Sequence, residues 1–269
     1  MSRKSLASIR CFLLDMDGTF YLGNRLLDGA LHFMEVIQKQ GRDFIFLTNN
    51  SSNRGFAYAQ KISAMGFPLP PEKVFTSGEA TARFLSRKHP GKRIYLVGTP
   101  ALEEEFREFG HNLVQEDAEL VVVGFDTTLT YQKLHRLCDY VRAGLPYIAT
   151  HPDYNCPTEN GYLPDIGAII AFVKASTGRE PDLIIGKPYR QIIDELAIKL
   201  QIPLEDLAMI GDRLYTDIAL GQTANITTIL VLSGETKLED LDSSPYKPDF
   251  VFENLGKVAE SLVQLKAPD

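Results

Sequence analysis

The chain has 269 residues, of which 44% are hydrophobic and 23% are charged, and its formal net charge is −7. This composition is typical of an ordinary folded protein that is long enough for two domains. The negative net charge argues against a nucleic-acid-binding protein and against a protein held on an anionic membrane. The first ten residues contain no apolar segment of signal-peptide type, and no run approaches transmembrane length, so we expect a cytoplasmic protein.

The first predicted strand, 11–14, is an apolar run that ends in two carboxylates, Asp15 and Asp17. A strand buried on both faces of a sheet has this pattern. If the chain stays extended, both carboxylates point to the same side, and Gly18 then allows a sharp turn. Such carboxylates can serve as metal ligands, nucleophile or general acid/base, although Asp-x-Asp-Gly also occurs in ordinary turns. A calcium loop is excluded, because glycine stands at its fourth position and Leu26 at its twelfth.

Predicted helices and strands alternate along the rest of the N-terminal part. A helix over 29–40 is followed by a strand over 43–48, a helix over 55–65 and a short strand over 74–76. Alternation of this kind predicts a parallel, doubly wound sheet with right-handed crossovers.

The alternation restarts after position 77 and continues for about a hundred residues, the usual size of a domain. The predicted elements are helices over 79–88, 101–109, 131–143 and 165–177, and strands over 93–98, 120–125 and 147–150. A loop rich in His, Asp, Asn, Pro and Gly precedes the last of these helices.

The C-terminal part repeats the first pattern. Its predicted elements are strands over 183–186, 207–210, 228–232 and 250–251, helices over 190–200 and 216–223, and a terminal helix. We therefore predict an α/β protein with a doubly wound, parallel-sheet, Rossmann-like core over 1–77 and 182–269. An inserted α/β domain over 78–181 interrupts this core.

Polar residues stand at the ends of four predicted core strands. They are Asp15 with Asp17, Thr48 with Asn49, Lys187, and Asp212 with Asp217 downstream. The carboxyl ends of parallel strands meet at one edge of a sheet, where ligands bind in open α/β folds. Carboxylates, a lysine and hydroxyl or amide groups at one edge suit a phosphorylated substrate with Mg²⁺. Each strand end alone has an ordinary structural explanation, and their joint occurrence favours the functional one.

These residues lie in four motifs that resemble those of the haloacid dehalogenase-like hydrolases. The resemblance is to the phosphatases with a large α/β cap, which include NagD-like and 4-nitrophenyl phosphatases, and it covers essentially the whole chain. The motifs are residues 15–19, 47–50, 186–188 and 211–217. One departure is Tyr215, where many relatives have Asp. That position is not a proposed ligand, so the departure bears on local loop contacts.

The resemblance implies a role for each motif residue. Asp15 would be the nucleophile that forms an aspartyl-phosphate, and Asp17 would protonate the leaving oxygen and then activate water. Thr48 and Lys187 would hold the phosphate. Further substrate-binding residues would be Gly18, Asn49 and Asn50.

The resemblance also implies a magnesium cofactor. Its ligands would be Asp15, the backbone carbonyl of Asp17, and Asp212, while Asp217 would lie behind these ligands without binding the ion. Related proteins often dimerise through the cap, so a homodimer formed through the cap is one option for this chain.

The inserted domain would be the cap, and its loop over 151–167 would face the active site and select a small phosphorylated substrate. Asp153, Tyr154 and Asn155 in this loop can hydrogen-bond a polar leaving group. An irregular connector explains the loop equally well. Cys156 lies near His151 in the sequence, but nothing else in the loop resembles the orienting third group of a cysteine nucleophile.

A phosphomutase and a non-enzymatic metabolite-binding protein remain alternatives to a phosphatase. A dehalogenase is disfavoured, because that chemistry has no leaving-group acid at the position of Asp17. A Rossmann oxidoreductase is disfavoured as well, because no Gly-x-Gly-x-x-Gly follows the first strand. The residues leave open which phosphate ester is the substrate.

Overall fold

The computed structural model describes residues 5–158 and 161–265 of the chain. Its strands are β1 (Cys11–Leu14), β2 (Tyr21–Leu22), β3 (Arg25–Leu26), β4 (Asp43–Thr48), β5 (Val74–Thr76), β6 (Arg93–Val97), β7 (Asn112–Leu113), β8 (Leu120–Val123), β9 (Tyr147–Ala149), β10 (Asn155–Thr158), β11 (Gly161–Pro164), β12 (Leu183–Ile184), β13 (Leu207–Gly211), β14 (Thr227–Val231) and β15 (Phe250–Phe252). Its α-helices are α1 (Ala30–Lys39), α2 (Gly55–Ala64), α3 (Ser77–Lys88), α4 (Pro100–Glu108), α5 (Tyr131–Arg142), α6 (Ile166–Thr177), α7 (Gln191–Leu200), α8 (Ala219–Ala224), α9 (Asp240–Ser243) and α10 (Leu255–Val263). Among the described residues, no helix has the length and apolar character that crossing a membrane requires.

A six-stranded sheet has the order β15-β14-β13-β1-β4-β5. The neighbours β15–β14, β14–β13, β13–β1 and β1–β4 pair in parallel. Strand order runs outward from β1 in both directions, so the winding reverses between β1 and β13. Such a reversal is the topological switch point at which ligands bind in open α/β sheets. The predicted doubly wound parallel sheet is confirmed.

Strand β1 occupies the middle of this sheet because all four of its residues are apolar and buried. Its last residue, Leu14, lies beside Ile210 of β13 and Phe46 of β4. On one face, the ring of Phe12 meets the ring of Phe33 from α1 edge-on, with ring centroids 5.4 Å apart. Burying large apolar side chains on this scale is the main stabilising contribution to such a core. The residues that follow β1 are therefore attached to rigid structure.

A second, five-stranded sheet has the order β12-β9-β8-β6-β7, and its neighbours also pair in parallel. Helices α5 and α6 pack against each other, and their apolar side chains complete the core above β6, β8 and β9. The antiparallel hairpin of β10 and β11 leads into α6 and pairs Asn155 with Pro164. This hairpin lies within the predicted irregular loop.

The chain divides into two compact units. The first comprises the described residues within 1–47, 59–74 and 187–269, and the second comprises 48–58 and 75–186. The division into a core over 1–77 and 182–269 with a cap over 78–181 stays a prediction.

Local differences separate the predicted elements from the observed ones, and the short elements β7 and α9 were also not predicted. Strand β12 was expected to belong to the core, but it pairs with β9 of the five-stranded sheet. The two short hairpins, β2–β3 and β10–β11, were not predicted, because two to four residues give no clear alternation. The helix expected over 216–223 begins instead with a π-helical turn at Leu214–Ile218 and continues as α8.

Candidate active site

The carboxylates of Asp15 and Asp212 follow β1 and β13, the two strands at the switch point. Because these strands are parallel, with Leu14 beside Ile210, both side chains emerge at the same edge of the sheet. The backbone N–H of Asp15 donates to the carbonyl oxygen of Ile210 at 2.9 Å, which continues the ladder past the strand end. Carboxylate oxygens of Asp15, Asp212 and Asp217 lie within 4.8 Å of one another.

Lys187 is a buried cation that bridges two of these carboxylates, Asp15 and Asp217. Its side chain is 5% exposed, and its Nζ donates to Oδ1 of Asp15 and, at 2.8 Å, to Oδ1 of Asp217. Burial alone would lower the pKa of an ammonium group, but the two carboxylates raise the pKa of Lys187 above its ordinary value. Lys187 therefore stays charged.

Asp17 begins a tight turn two residues after Asp15. The backbone N–H of Gly18, whose φ is +82°, donates to the carbonyl oxygen of Tyr21 at 2.8 Å and closes this turn. Much of Asp17 is exposed to solvent, yet the protein around its carboxyl group displaces enough water to raise its pKa. The positive charge of Lys61 opposes this shift, and the negative charge of Asp15 adds to it. A carboxyl group that holds its proton longer suits an acid.

Asp212 lies in a cradle built from backbone groups and glycines. The N–H of Glu235 donates to its Oδ2 at 2.7 Å, and the hydroxyl of Thr19 donates to its Oδ1 at 3.4 Å. A side chain at Gly18 or at Gly234 would overlap the carboxylate of Asp212. The two glycines therefore let two loops close around this carboxylate.

Asp217 is fully buried, and both of its oxygens accept hydrogen bonds. Oδ1 accepts from Lys187, and Oδ2 accepts from the backbone N–H of Arg213 at 3.2 Å. Burial raises the pKa of Asp217 to about 6, Lys187 opposes this shift, and the charge of Asp15 adds to it. Asp217 thus orients Lys187 and the turn that starts at Arg213.

The donor set fits Mg²⁺. Asp15 and Asp212 offer the hard carboxylate oxygens that Mg²⁺ takes, and Mg²⁺ needs few of them because it keeps several waters. Asp217 lies behind them, because both of its oxygens accept hydrogen bonds. Burial raises the pKa of Asp212 to about 7, and the negative charges of Asp15 and Asp217 raise it further. A bound cation would relieve this repulsion.

The segment over 233–235 completes this arrangement and was not predicted from the sequence. Ser233 Oγ donates to the carbonyl oxygen of Gly18 at 2.8 Å, and Tyr215 donates its hydroxyl proton to Oε1 of Glu235 at 2.8 Å. Tyr215, the departure from the family pattern, therefore supports the residue whose N–H binds Asp212. The available signal is the polar Ser-Gly-Glu run after the buried strand β14, since the other site residues also follow strands.

The predicted binding residues Thr48, Asn49 and Asn50, at the end of β4 and directly after it, belong to the second unit. Oγ1 of Thr48 accepts a hydrogen bond from the backbone N–H of Asn50 at 3.1 Å. The side-chain oxygen of Asn50 accepts from Ser52, and its amide nitrogen lies 3.6 Å from Sγ of Cys156. The amide of Asn49 donates to Oδ2 of Asp153 at 3.1 Å.

The three predicted loop residues of the second unit differ in their surroundings. The Asp153 side chain is 25% exposed and is bound to Asn49 and near His151. Tyr154 is 65% exposed, and Asn155 is also exposed at the start of β10. Tyr154 and Asn155 are therefore available to a ligand, whereas Asp153 is already engaged within the protein.

Two family models match the chain. One is described as haloacid dehalogenase-like hydrolase and matches residues 12–112, and the other, HAD-hydrolase-like, matches residues 184–258. An acid sugar phosphatase of Staphylococcus saprophyticus is 36% identical over 260 residues, which are 96% of this chain and 99% of that protein.

Solved structures show the same relationship. A 4-nitrophenylphosphatase from Thermotoga maritima has a TM-score of 0.92 and 49% identity, covering 96% of this chain and 98% of that one. NagD from E. coli K-12 has a TM-score of 0.87 and 33% identity, covering 93% and 98%. The chain therefore belongs to the haloacid dehalogenase-like hydrolases and is a phosphatase of the branch that includes NagD and the 4-nitrophenyl phosphatases.

Proposed function

We propose that the enzyme hydrolyses small phosphorylated metabolites, with sugar phosphates as the main class, through an aspartyl-phosphate on Asp15 and with Mg²⁺ as cofactor. The observation that carries this proposal is the grouping of Asp15, Asp212 and Asp217 at the switch point of the sheet, with Lys187 bridging Asp15 and Asp217. The relatives named acid sugar phosphatase and 4-nitrophenylphosphatase support the sugar-phosphate class and the use of 4-nitrophenyl phosphate as a reporter substrate.

The first step is attack by Asp15 on phosphorus. A bond forms between a carboxylate oxygen of Asp15 and phosphorus, and the bond from phosphorus to the ester oxygen breaks. The hydrogen bond from Lys187 to Oδ1 holds the carboxylate in one orientation for this attack. The same ammonium group stabilises the negative charge on the transferring phosphoryl oxygens.

Asp17 serves both half-reactions. It gives its proton to the leaving ester oxygen in the first, and it takes a proton from the water that attacks the aspartyl-phosphate in the second. Inorganic phosphate is released and the carboxylate of Asp15 is restored. The raised pKa of Asp17 favours the protonated form that the first half-reaction needs.

Mg²⁺ would be held by the carboxylates of Asp15 and Asp212 and by the backbone carbonyl of Asp17. Asp217 orients this group from behind, because both of its oxygens already accept hydrogen bonds. When bound, the ion neutralises charge on the phosphate and so favours attack by an anionic carboxylate.

Substrate recognition is assigned to the loops. Thr48 holds the phosphate together with Lys187, and the other residues that bind substrate are Gly18, Asn49 and Asn50. Tyr154 and Asn155 contact the part of the metabolite that leaves, since both are exposed on one loop of the second unit. Asp153 contributes to recognition indirectly, through the hydrogen bond that it accepts from Asn49.

A phosphate-release screen tests the proposal. Purified enzyme is assayed with sugar phosphates, nucleotides, phosphoglycolate and pyridoxal phosphate, with Mg²⁺ and with EDTA. We expect release from at least one sugar phosphate and from 4-nitrophenyl phosphate, and loss of both activities with EDTA. The control is Asp15→Asn, which keeps the shape but removes the nucleophile. It should lose nearly all turnover and retain the wild-type melting temperature.

Two results would contradict the proposal. Release by Asp15→Asn at the wild-type rate would exclude an aspartyl-phosphate on this residue, and undiminished activity in EDTA would exclude the metal. Interconversion of sugar phosphate isomers without phosphate release would instead indicate a phosphomutase.

A further inference from the structure

A group of buried polar side chains lies in the second unit. His151 is fully buried, its Nδ1 lies 3.6 Å from Oδ2 of Asp153, and its Nε2 lies 3.6 Å from Oδ1 of Asp165. Asp165 is almost fully buried as well. Buried imidazole and carboxylate groups are costly to desolvate unless they serve one another as partners. His151 and Asp165 have no role in the mechanism described above.

The group extends to Asn49. Oδ2 of Asp153, the oxygen nearest His151, also accepts the hydrogen bond from the amide of Asn49 at 3.1 Å. The backbone N–H of Asp153 donates to Nδ1 of His151 at 3.4 Å, which makes Nδ1 the acceptor and leaves the proton of a neutral ring on Nε2. The four residues therefore form a continuous series, Asp165–His151–Asp153–Asn49. In this series Asp165 lies near Nε2 of His151, the backbone N–H of Asp153 donates to Nδ1, and the carboxylate of Asp153 accepts from Asn49.

The backbone around this series is also held closely. The N–H of Gly167 in α6 donates to the carbonyl oxygen of Asp153 at 2.7 Å, and the N–H of Asp165 donates to that of Tyr154 at 2.9 Å. A Cβ at Gly167 would lie 2.5 Å from the carbonyl oxygen of Pro152. The start of α6 thus fixes the loop from one side while His151 fixes it from the other.

Gly186 connects the series to the catalytic lysine along the chain. A Cβ at Gly186 would lie 2.6 Å from Oδ1 of Asn49 and 2.8 Å from Cβ of His151, so only glycine fits there. Lys187 is the next residue. Asn49 and His151 therefore pack against the residue before Lys187, and Asn49 itself directly follows Thr48.

We propose that His151 is a positioning residue for phosphate-ester hydrolysis. Nδ1 of its buried imidazole accepts from the backbone N–H of Asp153, and the carboxylate of Asp153 in turn holds the amide of Asn49 beside Thr48. His151 touches no reacting atom in this scheme. The proposal rests on the proposed function, in which Thr48 and Asn49 bind the substrate.

Two substitutions of His151 separate the contact made by Nδ1 from the contact made by Nε2. In His151→Asn, the side-chain amide can retain a polar atom near the position of Nδ1, facing Asp153. In His151→Gln, it can retain one near the position of Nε2, facing Asp165. Both are polar and smaller than or similar in volume to histidine, so both keep more of the packing than alanine does. The control is His135→Gln, a histidine that is 68% exposed on α5 and paired with Asp139.

The first measurement is kcat/KM with 4-nitrophenyl phosphate. A small displacement of a positioning group can lower turnover by about tenfold or more, so we expect that loss for His151→Gln. His151→Asn should stay within about threefold of wild type, because its side chain can keep the hydrogen bond with Asp153. The loss should appear in kcat more than in KM, and His135→Gln should change neither. A double variant of His151→Gln with Asn49→Ala should lose no more than Asn49→Ala alone.

The second measurement does not need activity. The side-chain amide resonances of Asn49 are identified in an ¹⁵N–¹H spectrum by their disappearance in Asn49→Ala. We expect them to move in His151→Gln and in Asp153→Ala, and to stay in place in His135→Gln. If wild-type enzyme hydrolyses no phosphate ester, the proposed function fails, while this spectrum still tests the contact series.

The positioning role would be overturned by an unmoved Asn49 resonance in a folded His151→Gln variant. It would also be overturned if His151→Gln and Asn49→Ala had fully additive effects on kcat/KM. Equal losses for the Asn and Gln variants, accompanied only by lower melting temperatures, would show that His151 serves stability alone.

Discussion

Asp17 and Asp165 are carboxyl groups whose pKa values are raised by burial, but their surroundings differ. Asp17 is exposed to solvent next to the proposed reaction, and the charges of Lys61 and Asp15 lower and raise its pKa, respectively. Asp165 is buried at the N-terminus of α6, where its side chain accepts a hydrogen bond from the N–H of Ile166. The raised pKa should therefore affect the rate of hydrolysis at Asp17 and the stability of the folded protein at Asp165.

Asp17→Asn should slow hydrolysis most for esters whose leaving group is a poor one. A general acid/base contributes about 10²–10⁴-fold, so alkyl phosphates should lose activity in this range. In single-turnover kinetics, phosphorylation by 4-nitrophenyl phosphate should be slowed much less, because its leaving group needs little protonation. Equal slowing of that step for both ester types would argue against an acid role. Asp139→Asn, at an exposed position on α5, is the control.

Asp165 should make the protein less stable as pH rises. Burial raises the pKa of Asp165 to about 7 from an ordinary value of 3.8, so the folded state binds more protons than the unfolded state between these values. Its contribution is fully present below pH 3.8 and is lost as pH rises through 7. The groups that face it are His151, the N–H of Ile166 and the negative charge of Asp153.

Asp165→Asn should remove part of this pH dependence. Asparagine also caps helices well, so α6 should keep its start. The measurement is the melting temperature of wild type and variant between pH 5 and pH 8, where we expect a fall of a few degrees in wild type and a smaller one in the variant. Parallel curves for the two proteins would contradict the assignment.

Asp212 and Lys187 follow different strands and have different proposed roles in the site. The loop after β13 supplies Asp212, which the N–H of Glu235 and two glycines hold in place, while Lys187 follows β12 and bridges Asp15 and Asp217. A carboxylate held by neutral groups is suited to a cation, and a buried ammonium is suited to phosphate. These two positions should therefore respond to different ligands.

Asp212→Ala should raise the Mg²⁺ concentration needed for half-maximal activity by about tenfold or more, since about 1.4 kcal/mol of lost binding is tenfold. Lys187→Ala should weaken inhibition by inorganic phosphate more than it changes the Mg²⁺ requirement. The control for the first variant is Asp206→Ala, at the opposite end of β13. Metal titrations with the reverse pattern would exchange the two roles.

The two units offer separate routes to selectivity. The proposed hydrolytic groups Asp15, Asp17, Asp212 and Lys187 lie in the first unit, whereas the exposed loop residues lie in the second. Under the proposed function, activity on a small reporter should depend mainly on the groups of the first unit. Discrimination among metabolites depends on polar contacts to the leaving part, because an unmatched polar partner is costly.

Tyr154→Ala and Asn155→Ala should change the ranking of natural phosphate esters by kcat/KM and leave 4-nitrophenyl phosphate much less affected. Asp153→Ala should instead reduce activity on every ester, because Asp153 accepts a hydrogen bond from Asn49. The measurement is kcat/KM for each variant across the esters of the screen. An unchanged ranking in the Tyr154 and Asn155 variants would mean that selection resides elsewhere in the second unit.

Strand pattern alone predicted a large part of the core. The strands at 11–14, 43–48 and 74–76 have the predicted bounds, because continuous apolar runs between polar residues are a local property of the sequence. The alternation of strands and helices predicted the parallel sheet, since connection rules leave few other topologies. Asp15 and Asp212 are brought together for the same reason. Both residues follow strands that pair in parallel.

Only the tertiary structure decided which distant segments meet. The sheet to which β12 belongs depends on its pairing with β9, and a two-residue strand carries no signal for that choice. The contact of Glu235 with Asp212, and the series from Asp165 through His151 to Asn49, join residues far apart in the chain. Such contacts arise because buried polar groups need partners, and packing, not local sequence, determines which partner is within reach.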